Sequence, residues 1–288
     1  MNVKIDSFSE MPDLGSNQII GNNISLKNSS ISFRGEDNIL FLEDGANLNE
    51  VSINFSGNNS LVYIRRTSHA CPYNVNIYNN SVFYMGKDNY INSRKVNFQL
   101  SEERNIIIGD DNMFSYGVAV RIADPHLIYS TIDHKRVNPT KSVYIGDHVW
   151  IGQDVKIFKG SIIGSGSIIA GEGVVTKNVP SNTIFGGNSG RILKKDIFWE
   201  GPAVHAWTAK DTEQWHVREH DDFTFTNDGQ DVSIQNDIEN QLNGMVYAVD
   251  KLEYLKNISE EKNRFFVMDK SSRRETFWYK LKRAVMNF

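Results

Sequence analysis

From Ile145 onward an aliphatic residue recurs at every sixth position: Ile145, Ile151, Ile157, Ile163, Ile169 and Val175. Small or turn-forming residues fill the intervals, as in Ile145-Gly146-Asp147-His148-Val149-Trp150 and Ile163-Gly164-Ser165-Gly166-Ser167-Ile168. An α-helix spaces its apolar residues three and four apart, and a half-buried strand spaces them two apart. A period of six fits neither. It fits a prism whose coil has three short flat sides, one hexapeptide to a side, with the aliphatic residue on the axis and Gly, Asn or Asp at the corner. Stacked coils then bury one continuous column of Ile and Val, a quasi-one-dimensional core. The same frame returns at Ile108, Phe114 and Val120, and looser pairs (Ile20/Leu26, Leu42/Leu48, Ile77/Phe83) carry it back towards residue 20. The expected architecture is therefore an all-β parallel β-helix of hexapeptide repeats over about residues 15–195, its frame slipping repeatedly in the first hundred residues.

Composition supports this. Of 31 Asn, 20 fall within the first 112 residues, and Asn tolerates the positive φ of tight turns. A single cysteine, Cys71, excludes a disulfide framework or a multi-cysteine metal site. No run approaches the roughly 20 apolar residues of a membrane span, and the first residues lack the apolar segment of a secretory signal. A net charge of −4 argues against a general nucleic-acid partner. The expectation is a cytoplasmic globular protein. The repeat breaks between His126 and Ile145, where Leu127–Ser142 carries charges and Pro139 but no aliphatic period. This stretch, about 127–142, is expected as a loop expelled between two coils, and loops on rigid scaffolds tend to carry function.

The segments Ile145-Gly-Asp-His-Val-Trp-Ile-Gly152, Ile163-Gly-Ser-Gly-Ser-Ile-Ile-Ala-Gly171 and Val174-Val-Thr-Lys-Asn-Val-Pro180 resemble the left-handed β-helix acyltransferases. Together with Arg121-Ile-Ala-Asp-Pro-His126-Leu-Ile-Tyr129 they look most like bacterial capsule and polysialic acid O-acetyltransferases, over about residues 106–195. The resemblance implies a left-handed coil, acetyl-CoA as co-substrate, a homotrimer with sites between neighbouring prisms, and a glycan acceptor. Two segments depart from the family pattern near the expected CoA: Gly187-Asn188-Ser189-Gly190 and Ala170-Gly171-Glu172.

O-acetyl transfer needs a sugar hydroxyl deprotonated as it attacks a thioester, which suits a neutral imidazole. His126 stands where the repeat breaks and matches the family's catalytic His. Asp124 and Asp133 are alternative partners to fix its tautomer, and a backbone carbonyl would serve equally. By resemblance Trp150 lines the pocket, and Gly152 offers a backbone N–H to the thioester or oxyanion. Ala170, Thr176, Lys177, Arg191, Lys194 and Lys195 follow or adjoin the last regular coils, where the family's CoA emerges and its phosphates call for cations. His134, Lys135 and Arg136 in the loop are candidates for an acidic acceptor. His148 reads as a corner residue, and the spacing of His126, His134 and His148 does not suit a zinc site on adjacent coils. No metal is expected.

Residues 196–288 form a different region. Residues 211–239 hold nine acidic residues and one basic, Arg218. Leu242, Met245, Val246, Val249, Leu252 and Leu255 predict an amphipathic helix, and Ser272-x-x-Glu275 caps a second one through Phe277, Trp278, Leu281 and Val285. The excess of cations there permits weak peripheral docking at the inner face of a plasma membrane; packing on the trimer is the favoured alternative. Rival readings of the whole chain are an acetyltransferase of a small acceptor (nucleotide sugar, monosaccharide or antibiotic), a non-catalytic β-helical scaffold and a metal-dependent lyase.

Overall fold

The structure, a computed structural model, describes residues 3–8, 11–22, 24–227 and 234–269. Short strands stack into three faces of a prism. The first face runs from Ser30–Phe33 through Ser52–Phe55, Tyr73–Ile77, Val96–Gln99, Ala119–Arg121 and Lys156–Phe158 to Val174–Val175, all parallel, with Val3–Ile5 added antiparallel at one end. The second runs from Gln18–Ile20 to Ile162–Ile163 and the third from Tyr90–Ile91 to Ile184–Gly186, closed by antiparallel Arg191–Lys194. This is the parallel β-helix that the six-residue period predicts, with a partly helical C-terminal extension.

Register explains where the six-residue period holds. Ile145 lies opposite Ile163, Ile151 opposite Ile169 and Ile157 opposite Val175. One coil there is eighteen residues, three hexapeptides, and all six side chains are buried. In the earlier coils Ile31 pairs with Ile53 and Ile53 with Val75, twenty-two residues apart, so a six-residue frame cannot persist. A wider coil needs larger fillers to reach close packing. Phe33 stacks on Phe55 at 4.7 Å and Phe83 meets Phe98 at 4.9 Å, where the column from Ile145 to Val175 uses only Ile and Val before Phe185 closes it.

The asparagines serve the corners differently from the expectation. Outside glycine, positive φ falls mostly on acidic residues such as Asp37, Glu50, Asp88, Asp111, Asp154 and Glu172, and on Asn only at Asn28, Asn59, Asn80 and Asn182 among the described residues. Much of the surplus is instead buried, at Asn38, Asn89, Asn105 and Asn112. There the side-chain carbonyls accept backbone N–H groups: Asn38 from Ser60 at 3.0 Å, Asn105 from Val82 at 2.9 Å, Asn112 from Val149 at 2.7 Å. Unpaired, each buried N–H would be destabilising.

The extension packs on its own prism. It holds helices α1 (Ala209–Gln214), α2 (Ile234–Gly244) and α3 (Ala248–Lys256). The single helix expected through Leu242 and Leu255 is thus two, broken after Gly244, the residue type least costly to take out of a helix. Val246 and Val249 are exposed, so the apolar face expected of them is not used, whereas Leu242, Leu252 and Leu255 are buried. With Ile238 and Phe265 they cover Leu61, Tyr63, Val82, Tyr84, Ile107 and Tyr144 on the second face. Arg264 locks the contact: its guanidinium donates to Asp147 at 2.6 and 3.0 Å and lies 2.9 Å from Asp110, with 2% of the side chain exposed. The second expected helix, Ser272 to Val285, lies outside the described residues. No helix among the described residues is long and apolar enough to cross a membrane.

Candidate active site

Val120 pairs with Ile157, thirty-seven residues on, so one eighteen-residue coil carries an insertion of nineteen. The inserted chain leaves after Arg121 on the first face and returns at Val143 on the second. It folds as a hairpin: Tyr129 bridges Arg136, the Val137 N–H donates to Ile128 O at 2.9 Å, and His134 turns the tip with φ of 55°.

One residue that sequence reasoning passed over organises the base. Asn138 is buried. Its Nδ2 donates to His126 O at 2.7 Å and to Asp124 Oδ2 at 3.2 Å, while its Oδ1 accepts from the Ile128 N–H at 3.0 Å and Arg136 Nε at 3.2 Å. An Asn next to Pro139 in a loop gave no signal beyond turn chemistry. Lys159 Nζ completes the base, 2.5 Å from Asp124 Oδ2 and 3.1 Å from Asn138 O. Glu102 clamps the far side through Arg136 at 2.8 Å and the Thr140 hydroxyl.

His126 is thereby fixed at its backbone while its ring is exposed and bonded to no described residue. Asp124 does not orient it. That carboxylate is spent on Lys159 and Asn138, and those hydrogen bonds, the ammonium's first, hold its pKa below the ordinary range. Asp133 is also taken, by Ser130 and Lys135 at the tip. Arg136, expected to meet an acceptor, is instead half-buried between Glu102 and Asn138. Lys135 pairs with Asp133 at 3.3 Å and His134 is exposed.

Trp150 stands on the third face, 38% exposed. The loop leaves at the corner between the first and second faces, so one chain does not bring His126 and Trp150 together. Trp150 leans at 6.0 Å on Trp199 of the extension, which in turn stacks on His148 at 4.0 Å. His148 is a buried corner residue with φ of 51°, sandwiched between Trp199 and Phe223. Its Nδ1 lies 2.7 Å from Asp111 Oδ2 and its Nε2 3.0 Å from Trp199 O. Among the described residues no three His, Cys, Asp or Glu side chains are grouped to hold a metal ion.

At the expected cofactor end, the Gly152 N–H donates to Ile169 O at 2.8 Å and the Ala170 N–H to Phe185 O at 2.8 Å. Both are consumed by the ladder, so Gly152 is no oxyanion donor. Thr176, Lys177, Arg191 and Lys194 are exposed around the last coil, and their side chains make no hydrogen bond or ion pair with described residues. The Lys177 ammonium lies over the Phe185 ring at 5.8 Å, and the three exposed cations are of the kind phosphates call for. Lys195 is tied to Asp269 at 2.7 Å.

No family model matches the chain. It is 34% identical over 100 residues to a polysialic acid O-acetyltransferase of Escherichia coli O1:K1 / APEC, covering 35% of this chain and 33% of that protein. It is 28% identical over 149 residues to the polysialic acid O-acetyltransferase of Neisseria meningitidis, covering 45% and 69%. The chain thus spans about a third of the first relative's length and about two thirds of the second's. Among solved structures, the polySia-specific acetyltransferase NeuO superposes with a TM-score of 0.61 at 28% identity, over 70% of this chain and 93% of that one. The relatives of this chain include polysialic acid O-acetyltransferases beside galactoside O-acetyltransferases and a probable macrolide acetyltransferase, and the fold it shares with the solved relative is the hexapeptide-repeat β-helix.

Proposed function

We propose that this protein transfers acetyl from acetyl-CoA to hydroxyls of a capsular or other surface polysaccharide, a sialic acid chain foremost. It does so as a cytoplasmic homotrimer, by direct attack and without a covalent acetyl-enzyme. The observation that carries the reading is His126: its backbone is pinned by Asn138 on a rigid loop base while its ring stays open. The neutral imidazole takes the hydroxyl proton as the sugar oxygen bonds to the thioester carbonyl carbon. The C–S bond then breaks, and the thiolate leaves with the proton that the imidazolium returns. Lys177, Arg191 and Lys194 would hold the phosphates of CoA, and the thioester would supply the acetyl group.

The trimer is supported by two apolar surfaces that one chain leaves only partly covered. Tyr90, Met113, Trp150, Ile168 and Ile184 stand in register down the outside of the third face. Leu127, Ile128, Tyr129, Ile132 and Val137 are exposed on the loop, Ile132 to 94%. Setting the loop of one copy against the third face of the next covers both and brings His126 to a neighbour's Trp150. Such contiguous apolar surface marks an interaction site.

Purified protein incubated with acetyl-CoA and a panel of acidic and neutral glycans, with thiol release followed, tests the reading. The expected result is glycan-dependent release, abolished in His126→Ala with the oligomer intact. Full activity in that variant would overturn the assignment, and equal turnover of a monosaccharide would favour a small acceptor.

A further inference from the structure

The three faces of the prism are dressed differently. The second is covered by the extension, the third carries the apolar column, and the first is open and polar from Ser32 to Arg121, beyond which the row passes to Phe158. On that first face the outward positions Ser32, Asn54, Asn76, Gln99 and Arg121 stand in register on successive strands. Beside them, Asn74 stands opposite Asn97. None of these side chains is acidic and none is apolar. They are joined across the strands: Ser32 Oγ donates to Asn54 Oδ1 at 2.8 Å, Asn54 Nδ2 to Asn76 Oδ1 at 3.1 Å, and Asn74 Nδ2 to Asn97 Oδ1 at 2.9 Å.

A primary amide has two donors and two lone pairs, so the ladder leaves half of each free. The amide nitrogens of Asn76 and Asn97 donate to no described residue, and the side chains of Gln99 and Arg121 have no polar contact with one. From Asn54 to Arg121 the face therefore repeats an unused donor at each strand spacing of about 4.8 Å, with an unused acceptor on each amide, a spacing comparable to one sugar residue of an extended chain. From Ser32 to Arg121 the row is roughly 19 Å long, four such spacings. It ends at an exposed guanidinium five residues before His126.

We infer that this face is a track for the acceptor: an extended acidic glycan lies across the strands, held by the free amides of Asn76, Asn97 and Gln99 and by Arg121, and leads towards the loop of His126. This rests on the acetyltransferase reading only for its link to turnover. A protein partner would want apolar area that the row lacks, and nucleic acid would want more than one cation in it.

The test is the full-length double variant Asn76→Asp/Asn97→Asp. Each new carboxylate keeps the oxygen that accepts the ladder bond, so the ladder persists while two negative charges face the chain. Binding and transfer are measured with long-chain polysialic acid and with a sialic acid trimer. The expected result is a Kd and KM for the long chain raised about tenfold at low salt, an effect that shrinks as salt screens it, with kcat and the KM for the trimer unchanged and the melting temperature preserved. Arg121→Gln, an exposed single change, is expected to weaken long-chain binding in the same way, and it carries the test if the double variant does not fold. Unchanged long-chain binding in a folded variant overturns the track, as does a wild type that binds the long chain no better than the trimer. Wild-type protein that binds the long chain but transfers no acetyl would sustain the track and overturn the enzymatic reading.

Discussion

Arg264→Met tests how the extension is held. The guanidinium is buried against Asp147 and Asp110, and it also donates to Ser259 O at 2.6 Å. Burial opposes its charge, but the hydrogen bonds of Asp147 prevail and hold its pKa above the ordinary value. Burial in turn pushes Asp147 upward against the pull of Arg264. Methionine fills a similar volume but leaves two carboxylates facing each other without their cation. Breaking a buried pair from one side costs about 3–5 kcal/mol. Lys87, 3.8 Å from Asp110, partly compensates, which places the loss near the lower end, about 3 kcal/mol, or roughly a hundredfold in an equilibrium constant. The loss falls on docking of the extension, because the hexapeptide column does not depend on it. Amide hydrogen exchange is the assay. Protection in α3 should drop about a hundredfold while Ile151 and Ile169 keep theirs. Asp147→Asn in the same background should recover most of the loss, since the unpaired charge is gone. A drop below threefold, or one equally large in the inner coils, would refute the assignment of Arg264 as the lock.

Three further outcomes are expected. Asn138→Ala removes four hydrogen bonds at the loop base; with His126 displaced by even about 1 Å, kcat should fall on the order of 10²-fold, and stopped thiol-release assays giving an unchanged kcat would sever Asn138 from the chemistry. Ile163→Ala, fully buried in the column, should destabilise by about 2–5 kcal/mol, read from denaturant midpoints at constant slope. Acidification should loosen the extension. Hydrogen bonds from Lys87 and then Arg65 hold Glu260 down to about 2 from 4.5, so its contribution is full above pH 4.5 and is lost as pH falls towards 2. Asp147, raised by burial, works in the opposite sense, and half-exposed Glu260 is screened by solvent, so the net loosening read from Trp199 fluorescence should be modest, and in Glu260→Gln acidification should no longer loosen the extension.

The eighteen-residue coils were legible because their cross-section admits a single aliphatic residue per side, and a strict geometric constraint leaves a strict period. The wider early coils were legible only in kind, since a twenty-two-residue coil filled by Phe33, Phe55, Phe83 and Phe98 has no six-residue frame to show. The loop announced itself as an interruption, and His126 through the motif around it. What connects His126 to the rest was not legible. Asp124, two residues away, was one of two candidate partners, yet Lys159 from the following coil takes it. That neighbour is created by stacking coils, not by sequence proximity. Asn138 meets its partners through the fold of the loop, and Arg264 and the stack of His148 between Trp199 and Phe223 arise from docking of the extension, each joining positions ten or more residues apart. In a solenoid the period fixes which residues point inward and which stand in register on neighbouring coils, and nothing in it fixes what a loop or an extension brings against them. Chemistry at the surface of such a fold is therefore written in the stacking and the docking. The separation of His126 and Trp150 onto different sides of one prism extends the argument: if both act in one site, the stacking that completes it is that of neighbouring chains.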